Sequence, residues 1–398
     1  MSHFLFMALP DRGHVYPHLA VVDELINRGH QVTYVTGPGM VEAVEATGAT
    51  VVVYDSQFER LDLLELAATE GSDVFLSLFI DEGAAMIKVA EEHLGRERAD
   101  VVAYDMFVLA AGRALARKWK VPAIRLTPVF ASNDVFSVFP TIETDSDEPV
   151  EVPPGFEVPM AKGAALLRSQ GIDDSIERFS AEIEAFNLVA LPREFQFAGE
   201  SFDERFVFTG PCLGDRAFLG EWKPSDDGLP VVLVSLGTVF NGQPEFFRAC
   251  VEAFTGAPWH VVMTVGDGID PADLGALPPN IEVHRWVPHL AVLEHAEVAV
   301  THGGMGSVME ALYCGRPVVA VPCNSDVELQ VQRITELGLG GVLSHEELTP
   351  EGLRRLVTRL AEDEAVLAAV RAMRDHIHNA GGTQRAADEI EKYLARAI

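Results

Sequence analysis

Lysine and arginine are scarce in this chain. Its 398 residues carry 30 of them against 60 aspartates and glutamates, a formal net charge of −30 with histidine neutral. A field of that sign repels the phosphates of nucleic acid and argues against such a partner. It also cannot gather an anionic ligand from a distance, so any phosphate must be held by local N–H groups and helix dipoles. Cysteine is sparse as well. Cys212, Cys250, Cys314 and Cys323 lack metal-ligand spacing, and the last three sit in apolar stretches. They read as reduced, buried thiols of a cytoplasmic protein. No run approaches the ~20 apolar residues of a membrane span, and the opening Ser2-His3-Phe4 lacks the basic region of a signal peptide. No internal repeat is legible. What the chain does have, 48% apolar residues with mixed charge, excludes disorder. Its length suggests two domains of roughly 150–200 residues each.

The N-terminal half opens with an apolar run, Phe4–Leu9, of the kind that forms a central parallel strand. The loop Pro10–Tyr16 follows. Pro17 suits the first position of a helix whose apolar face is Leu19, Val22, Leu25 and Ile26. Strands at Gln31–Thr36 and Thr50–Tyr54 complete a βαβαβ opening of Rossmann type. The first turn has one glycine and a histidine instead of G-x-G-x-x-G, which argues against NAD. Further along come a helix at Phe75–Leu94, a strand ending at Asp105, a helix at Leu109–Lys118 and a strand at Val121–Leu126. The pattern then dissolves from Val129 to about Ala164. A helix at 173–186 and strands at Leu188–Leu191 and Phe206–Thr209 close the half. Cys212–Leu229, rich in Gly, Pro and Asp, reads as a linker.

The second half runs Val231–Ser235, helix Pro244–Phe254, then strands His260–Val265, Ile281–His284, Val298–Val300 and Val318–Val321. Thr349-Pro350-Glu351 starts a helix with good N-terminal chemistry. The expected organisation is 1–211, a linker at 212–230, 231–380, and a terminal helix at 381–398 that crosses back to the first half. Ala387, Ile390, Tyr393 and Leu394 recur on that helix at helical spacing.

Several residues in this frame could carry chemistry. Val298–Val300 runs into Thr301-His302-Gly303-Gly304-Met305-Gly306-Ser307, and an apolar helix follows. Glycines there bring backbone N–H groups close to a ligand, and the helix N-terminus favours an anion. Alone, such a turn is equally well structural. His14 follows the first strand, where open α/β sheets place ligands, and stands near a helix N-terminus whose dipole disfavours imidazolium. It is a candidate base, or else a loop anchor. Asp105 ends a strand of the same sheet and can orient a histidine, or cap the next helix. Asp145-Ser-Asp147 mimics a metal-holding D-x-D but lies in the acidic, Pro-containing stretch, and reads as solvated charge. No metal is expected.

Trp286-Val287-Pro288, the T-H-G-G-M-G-S turn and Glu310 together resemble the donor signature of GT-B glycosyltransferases, which join nucleotide-activated sugars to small lipophilic acceptors. G-H-V-Y-P at 13–17, V-S-L-G-T at 234–238 and E-L-G-L-G at 336–340 are most similar to the calicheamicin-type enzymes. The resemblance covers nearly the whole chain. It implies an α/β fold of two Rossmann-like, doubly wound domains facing across a cleft that closes over the sugar. It further implies an inverting O-glycosyltransferase with His14 as base and Asp105 as its orienter. On the same grounds His302, Gly304, Gly306 and Ser307 hold the diphosphate, with Ser307 also capping the helix, and Gly237 and Thr238 complete the cradle. Trp286 stacks on the base, the Val287 backbone reads its edge, and Glu310 accepts from ribose hydroxyls. Relatives using UDP-glucose carry an acid and an amide where this chain has Asp326-Val327. Asp326 can still bind sugar hydroxyls, while Val327 favours a deoxysugar carried on dTDP over glucose on UDP. Phe75, Phe79, Met106, Phe107, Phe136 and Phe139 are candidates for an apolar acceptor pocket, and Phe130 joins them in the same stretch. The donor is a co-substrate, no other cofactor is implied, and a homodimer is compatible. The alternatives are a UDP-glucose-dependent enzyme that inactivates macrolides or other aglycones, a GT-B nucleotide-sugar epimerase, and a non-catalytic activator of a transferase.

Overall fold

The computed structural model describes residues 1–61, 66, 72–138, 155–214, 221–226, 228–238, 241–323 and 327–397. The chain divides into two compact units. The first joins Met1–Gly214 to Gly381–Ile398, and the second is Asp215–Ala380.

The first unit is a seven-stranded sheet. Its strands are β1 (His3–Met7), β2 (Gln31–Thr36), β3 (Thr50–Val53), β4 (Val101–Asp105), β5 (Ala123–Thr127), β6 (Asn187–Val189) and β7 (Phe206–Phe208), in the order β3-β2-β1-β4-β5-β6-β7. Every pairing is parallel. Parallel strands are covered on both faces, which is why β1 and β4 are apolar almost throughout. Helix α1 (Arg12–Asn27) and the terminal helix Gly382–Ala397 lie on one face, with Phe4, Phe6, Val15, Leu19 and Val22 packed against Ala386, Ala387, Ile390 and Leu394. Leu5, Met7, Val102 and Tyr104 face the opposite way, among residues of the helices Ser72–Leu94 and Leu109–Trp119. The buried stripe of the terminal helix explains its attachment. Full burial of Ile390 and Leu394 alone is worth about 1.5–3 kcal/mol each.

Chain order reverses direction between β1 and β4. In doubly wound sheets, ligands bind outside the carboxyl ends of the strands at such a switch point. The second unit repeats the scheme with β8 (Val231–Ser235), β9 (His260–Thr264), β10 (Ile281–His284), β11 (Ala296–Thr301), β12 (Val318–Ala320) and β13 (Gly340–Val342), ordered β10-β9-β8-β11-β12-β13 and parallel throughout. Its switch point lies between β8 and β11.

Several expectations need correction. Pro17 lies inside α1 and does not start it. Asp11 is the N-cap and accepts from Gly13 N at 2.7 Å, so the helix begins at Arg12. Near the N-terminus a proline forfeits one backbone bond, and α1 tolerates that. Residues 157–169 form a helix where none was expected. Pro159 falls in its first turn, where a missing N–H costs nothing, and Gly163 lets it close on Ile176. The helix expected at 173–186 is only Ile176–Ala181. Arg113 explains the stop, since its guanidinium donates to the carbonyls of Phe179 and Glu182 and to the Glu184 carboxylate. Cys212, placed in the linker, is a core residue 2% exposed. Strand β13 and the helix Glu364–Asn379 were not foreseen either.

Candidate functional site

Each unit carries its own set of candidate residues at its switch point. In the first unit, the backbone leaving β1 turns at Asp11 and enters α1, which puts His14 in the first turn. Asp105 is the last residue of β4 and is fully buried. His14 Nδ1 lies 2.9 Å from Asp105 Oδ2. A carboxylate only accepts, so Nδ1 carries the proton and Nε2 presents its lone pair. Among the described residues nothing hydrogen-bonds Nε2. The other carboxylate oxygen accepts from Phe107 N at 2.9 Å, so Asp105 orients His14 and caps the turn Met106–Val108 at once.

Electrostatics here run against the expected helix-dipole effect. Burial disfavours imidazolium, but the charge and hydrogen bond of Asp105, with the charge of Asp11, outweigh it and raise the His14 pKa above its ordinary value. The dipole of a first turn is worth less than a full charge in contact.

Aromatic rings extend from His14. Phe107 lies 4.3 Å from its ring centre, Phe79 stacks on Phe107 at 4.5 Å, and Phe75 follows at 6.3 Å. The structure thus brings three of the proposed acceptor residues together beside His14. Met106, by contrast, is core, 5% exposed, and Phe130 is buried at 1%. Phe136 belongs to a separate group, 5.2 Å from Phe197 and 6.3 Å from Phe130. Phe139 lies outside the described residues, as do Asp145, Asp147 and Asp326.

In the second unit, the turns after β8 and β11 meet around His302. A Cβ on Gly237 would stand 2.5 Å from His302 Cε1, and one on Gly304 would stand 2.4 Å from Nε2. With φ of +79° at Gly237, only glycine suits that turn. Burial pushes the His302 pKa down to about 4, so at neutral pH the ring is neutral and can offer an N–H. Helix Met305–Tyr313 follows, with Gly304 as N-cap and no side-chain cap. Ser307 therefore does not cap it, being the third helical residue. The N–H groups of Met305, Gly306 and Ser307 have no intrahelical acceptor, and exposed Gly306 has nothing within 4 Å of a virtual Cβ. Backbone donors, a dipole and a glycine surface together can receive an anion.

Val287 is buried at 4%, while Trp286 and Arg285 on the same turn reach solvent. Glu310, one turn inside the helix, is 6% exposed and lines a small cavity with Ser235, His289, Thr301 and Ser307. Val327 is buried against the Gly303 turn, its Cβ 3.5 Å from a virtual Cβ there. Thr238 is exposed.

Two polar residues here were missed. His289 Nδ1 lies 3.7 Å from Glu310 Oε2, with Nε2 3.3 Å from Thr264 Oγ1. Its signal was its place directly after Trp286-Val287-Pro288. Asn241, 4% exposed, donates to the carbonyls of Gly237 and Thr238 at 3.2 and 3.1 Å and pins the first turn. Nothing in the sequence marked it.

Comparison with known proteins bears on the whole chain. Residues 256–392 match the family model of the erythromycin biosynthesis protein CIII-like C-terminal domain. Demethyllactenocin mycarosyltransferase of Streptomyces fradiae is 38% identical over 100% of this chain and 87% of its own. Oleandomycin glycosyltransferase of Streptomyces antibioticus is 35% identical, covering 99% and 91%. The crystal structure of the calicheamicin glycosyltransferase CalG4 superposes with a TM-score of 0.89 at 43% identity, covering 100% of this chain and 99% of that one. Two parallel α/β units with this likeness over their full length place the chain in the GT-B family of natural-product glycosyltransferases.

Proposed function

We propose that the protein is an inverting O-glycosyltransferase that moves a deoxysugar from a dTDP-sugar to a hydroxyl of a lipophilic natural product, without a metal. One observation carries the reading: His14 is held through Nδ1 by a buried carboxylate, with Nε2 facing away from it and an aromatic wall alongside. In the reaction, the acceptor oxygen forms a bond to the anomeric carbon and gives its proton to His14 Nε2. The bond from that carbon to the diphosphate breaks, and its electron pair leaves with the phosphate. Asp105 stabilises the imidazolium as it forms. A single displacement inverts the anomeric centre.

His302, Gly304, Gly306 and Ser307 take the leaving diphosphate, with Gly237 and Thr238 alongside. Preorganised N–H groups stabilise the charge that develops there. Glu310 accepts from the ribose, Trp286 stacks on the base, and the Val287 backbone reads its edge. Asp326 binds sugar hydroxyls. Support for a deoxysugar comes from Val327, whose buried apolar side chain offers a hydroxyl no partner. Relatives named for mycarosyl transfer and for glycosylation of oleandomycin agree with a polyketide-like acceptor.

Titration calorimetry with dTDP and UDP, followed by turnover with a panel of dTDP- and UDP-sugars, tests this. Tighter binding of dTDP and turnover only with an added aglycone are expected. Sugar-nucleotide turnover without an aglycone points to the epimerase, and no binding of either nucleotide defeats the donor assignment.

A further inference from the structure

Among the described residues of the first unit, six buried side-chain polar atoms have no hydrogen-bond partner: Arg125 Nε on β5, Asn187 Oδ1 on β6, and four more, Nδ1 and Nε2 of His18, the hydroxyl of Tyr34 and Oγ1 of Thr36. His18 is 2% exposed, and Tyr34 and Thr36 are wholly buried. Orphaned groups at this depth are rare and costly, and each calls for an explanation. The last four are not scattered. Tyr34 and Thr36 alternate on β2 and so share one face, the face that Val15 and Leu19 of α1 cover. Next to β2 lies β1, and next to β1 lies β4, which ends in Asp105. His18 follows His14 by one helical turn on the same side of α1. The charge of Asp105 is felt at both His18 and Tyr34. Asp105 alternates with Val101 and Ala103 on the face of the sheet that α1 covers, so these four groups share that face with the His14–Asp105 pair.

We propose that His18 is a positioning residue for glycosyl transfer: with Tyr34 and Thr36 it binds water behind Asp105, and that hydrated site steadies the carboxylate and, through it, His14. The inference rests on the reading of His14 as base. Buried waters characteristically make about three hydrogen bonds to otherwise unsatisfied groups, and this site offers four atoms. Burial pushes the His18 pKa down to about 4, so its ring stays neutral and both donates and accepts. The ionisable groups acting here are Asp105 from β4 on both histidines, Asp11 from the cap of α1 on His14, and His14 on His18, while Asp105 also acts on Tyr34 of β2 and on the buried Arg125 of β5. A water donating to Asp105 shares its charge. That weakens its pull on the His14 proton and keeps His14 basic enough to accept a proton yet ready to lose one.

His18→Phe removes both nitrogens and fills the ring's place. It should raise the His14 pKa by about one unit, read by long-range 1H–15N spectra of the histidine rings, and move the acidic limb of kcat/KM upward with it. A one-unit shift corresponds to about tenfold in rate on that limb. His18→Gln should restore most of the shift, and dTDP affinity should not change in either variant. Tyr34→Phe, which deletes one hydroxyl, separates the two explanations of the orphans. Lower Tm is expected if the hydroxyl is bound to water, and a higher Tm if it has no partner at all. A His14 pKa unmoved by His18→Phe, or a raised Tm in Tyr34→Phe, overturns the proposal. Should His18→Phe fail to fold, Tyr34→Phe and Thr36→Val carry the same two readouts. The histidine spectra do not depend on turnover, so a wild-type protein without transferase activity sinks the base assignment while the coupling of His18 to His14 is still decided.

Discussion

Asp105→Asn removes one negative charge and almost no volume at a site with no solvent exposure. The carboxylate accepts two hydrogen bonds, from His14 Nδ1 and Phe107 N, each at 2.9 Å. Asparagine has one oxygen for both. If the oxygen keeps Phe107, the amide N–H₂ faces Nδ1, which must then accept, and the ring proton moves to Nε2. That tautomer has no lone pair where the acceptor needs one. The lost attraction for imidazolium is of order 332/(20 × 4), about 4 kcal/mol at an effective dielectric constant of 20. Part of that returns because burial of a charge is also relieved, leaving about 3 kcal/mol, or roughly 10²-fold in kcat. Loss of the correct tautomer extends the fall toward about 10⁴-fold, as in the hydrolase triads. The pH dependence has a definite sign. His14 must be neutral to act, and Asp105 raises its pKa, so wild-type kcat/KM climbs through a value above 6.5. Without that charge the acidic limb moves to lower pH while the plateau drops. Steady-state rates from pH 5 to 9 check both. A plateau within threefold of wild type and an unmoved limb would refute the pairing of these residues as base and orienter.

Gly237→Ala should weaken dTDP binding at least tenfold by calorimetry, because its Cβ meets His302 at 2.5 Å and its φ of +79° disfavours any side chain. Acid should destabilise the fold between pH 6.5 and 4. His18 and His302 stay neutral when folded, down to about pH 4, but take up protons when unfolded, a loss of up to about 3 kcal/mol each in urea titrations. His14 acts in the opposite direction, its contribution complete below about pH 6.5 and lost as pH rises through its raised folded value. Arg28 joins Glu24 to Asp388 and Glu391 of the terminal helix at 2.7–2.8 Å, so Arg28→Ala should cost about 1 kcal/mol and speed amide exchange along Gly382–Ala397.

Much of the fold was legible because parallel strands buried on both faces are continuous apolar runs, and β1, β8 and β11 announce themselves in that way. The switch-point positions follow from strand order, which is why His14, Asp105 and the T-H-G-G turn could be placed at strand ends from the sequence. What escaped depends on contacts between distant segments. The short helix at Ile176 is ended by Arg113, more than sixty residues away. Asn241 matters through the carbonyls it grips, and Met106 turned from acceptor candidate to core because its neighbour Asp105 caps a turn that points it inward. The direction of the His14 shift was missed for the same reason. A dipole is visible in one helix, whereas a contacting carboxylate comes from another strand.

The most direct test of the account is the anomeric configuration of the product. NMR of the glycoside formed from a dTDP-deoxysugar and a lipophilic aglycone should show a single inverted anomer. His14→Ala should abolish its formation while leaving dTDP affinity within a few-fold. A retained anomer, or undiminished turnover in His14→Ala, contradicts a single displacement driven by that base.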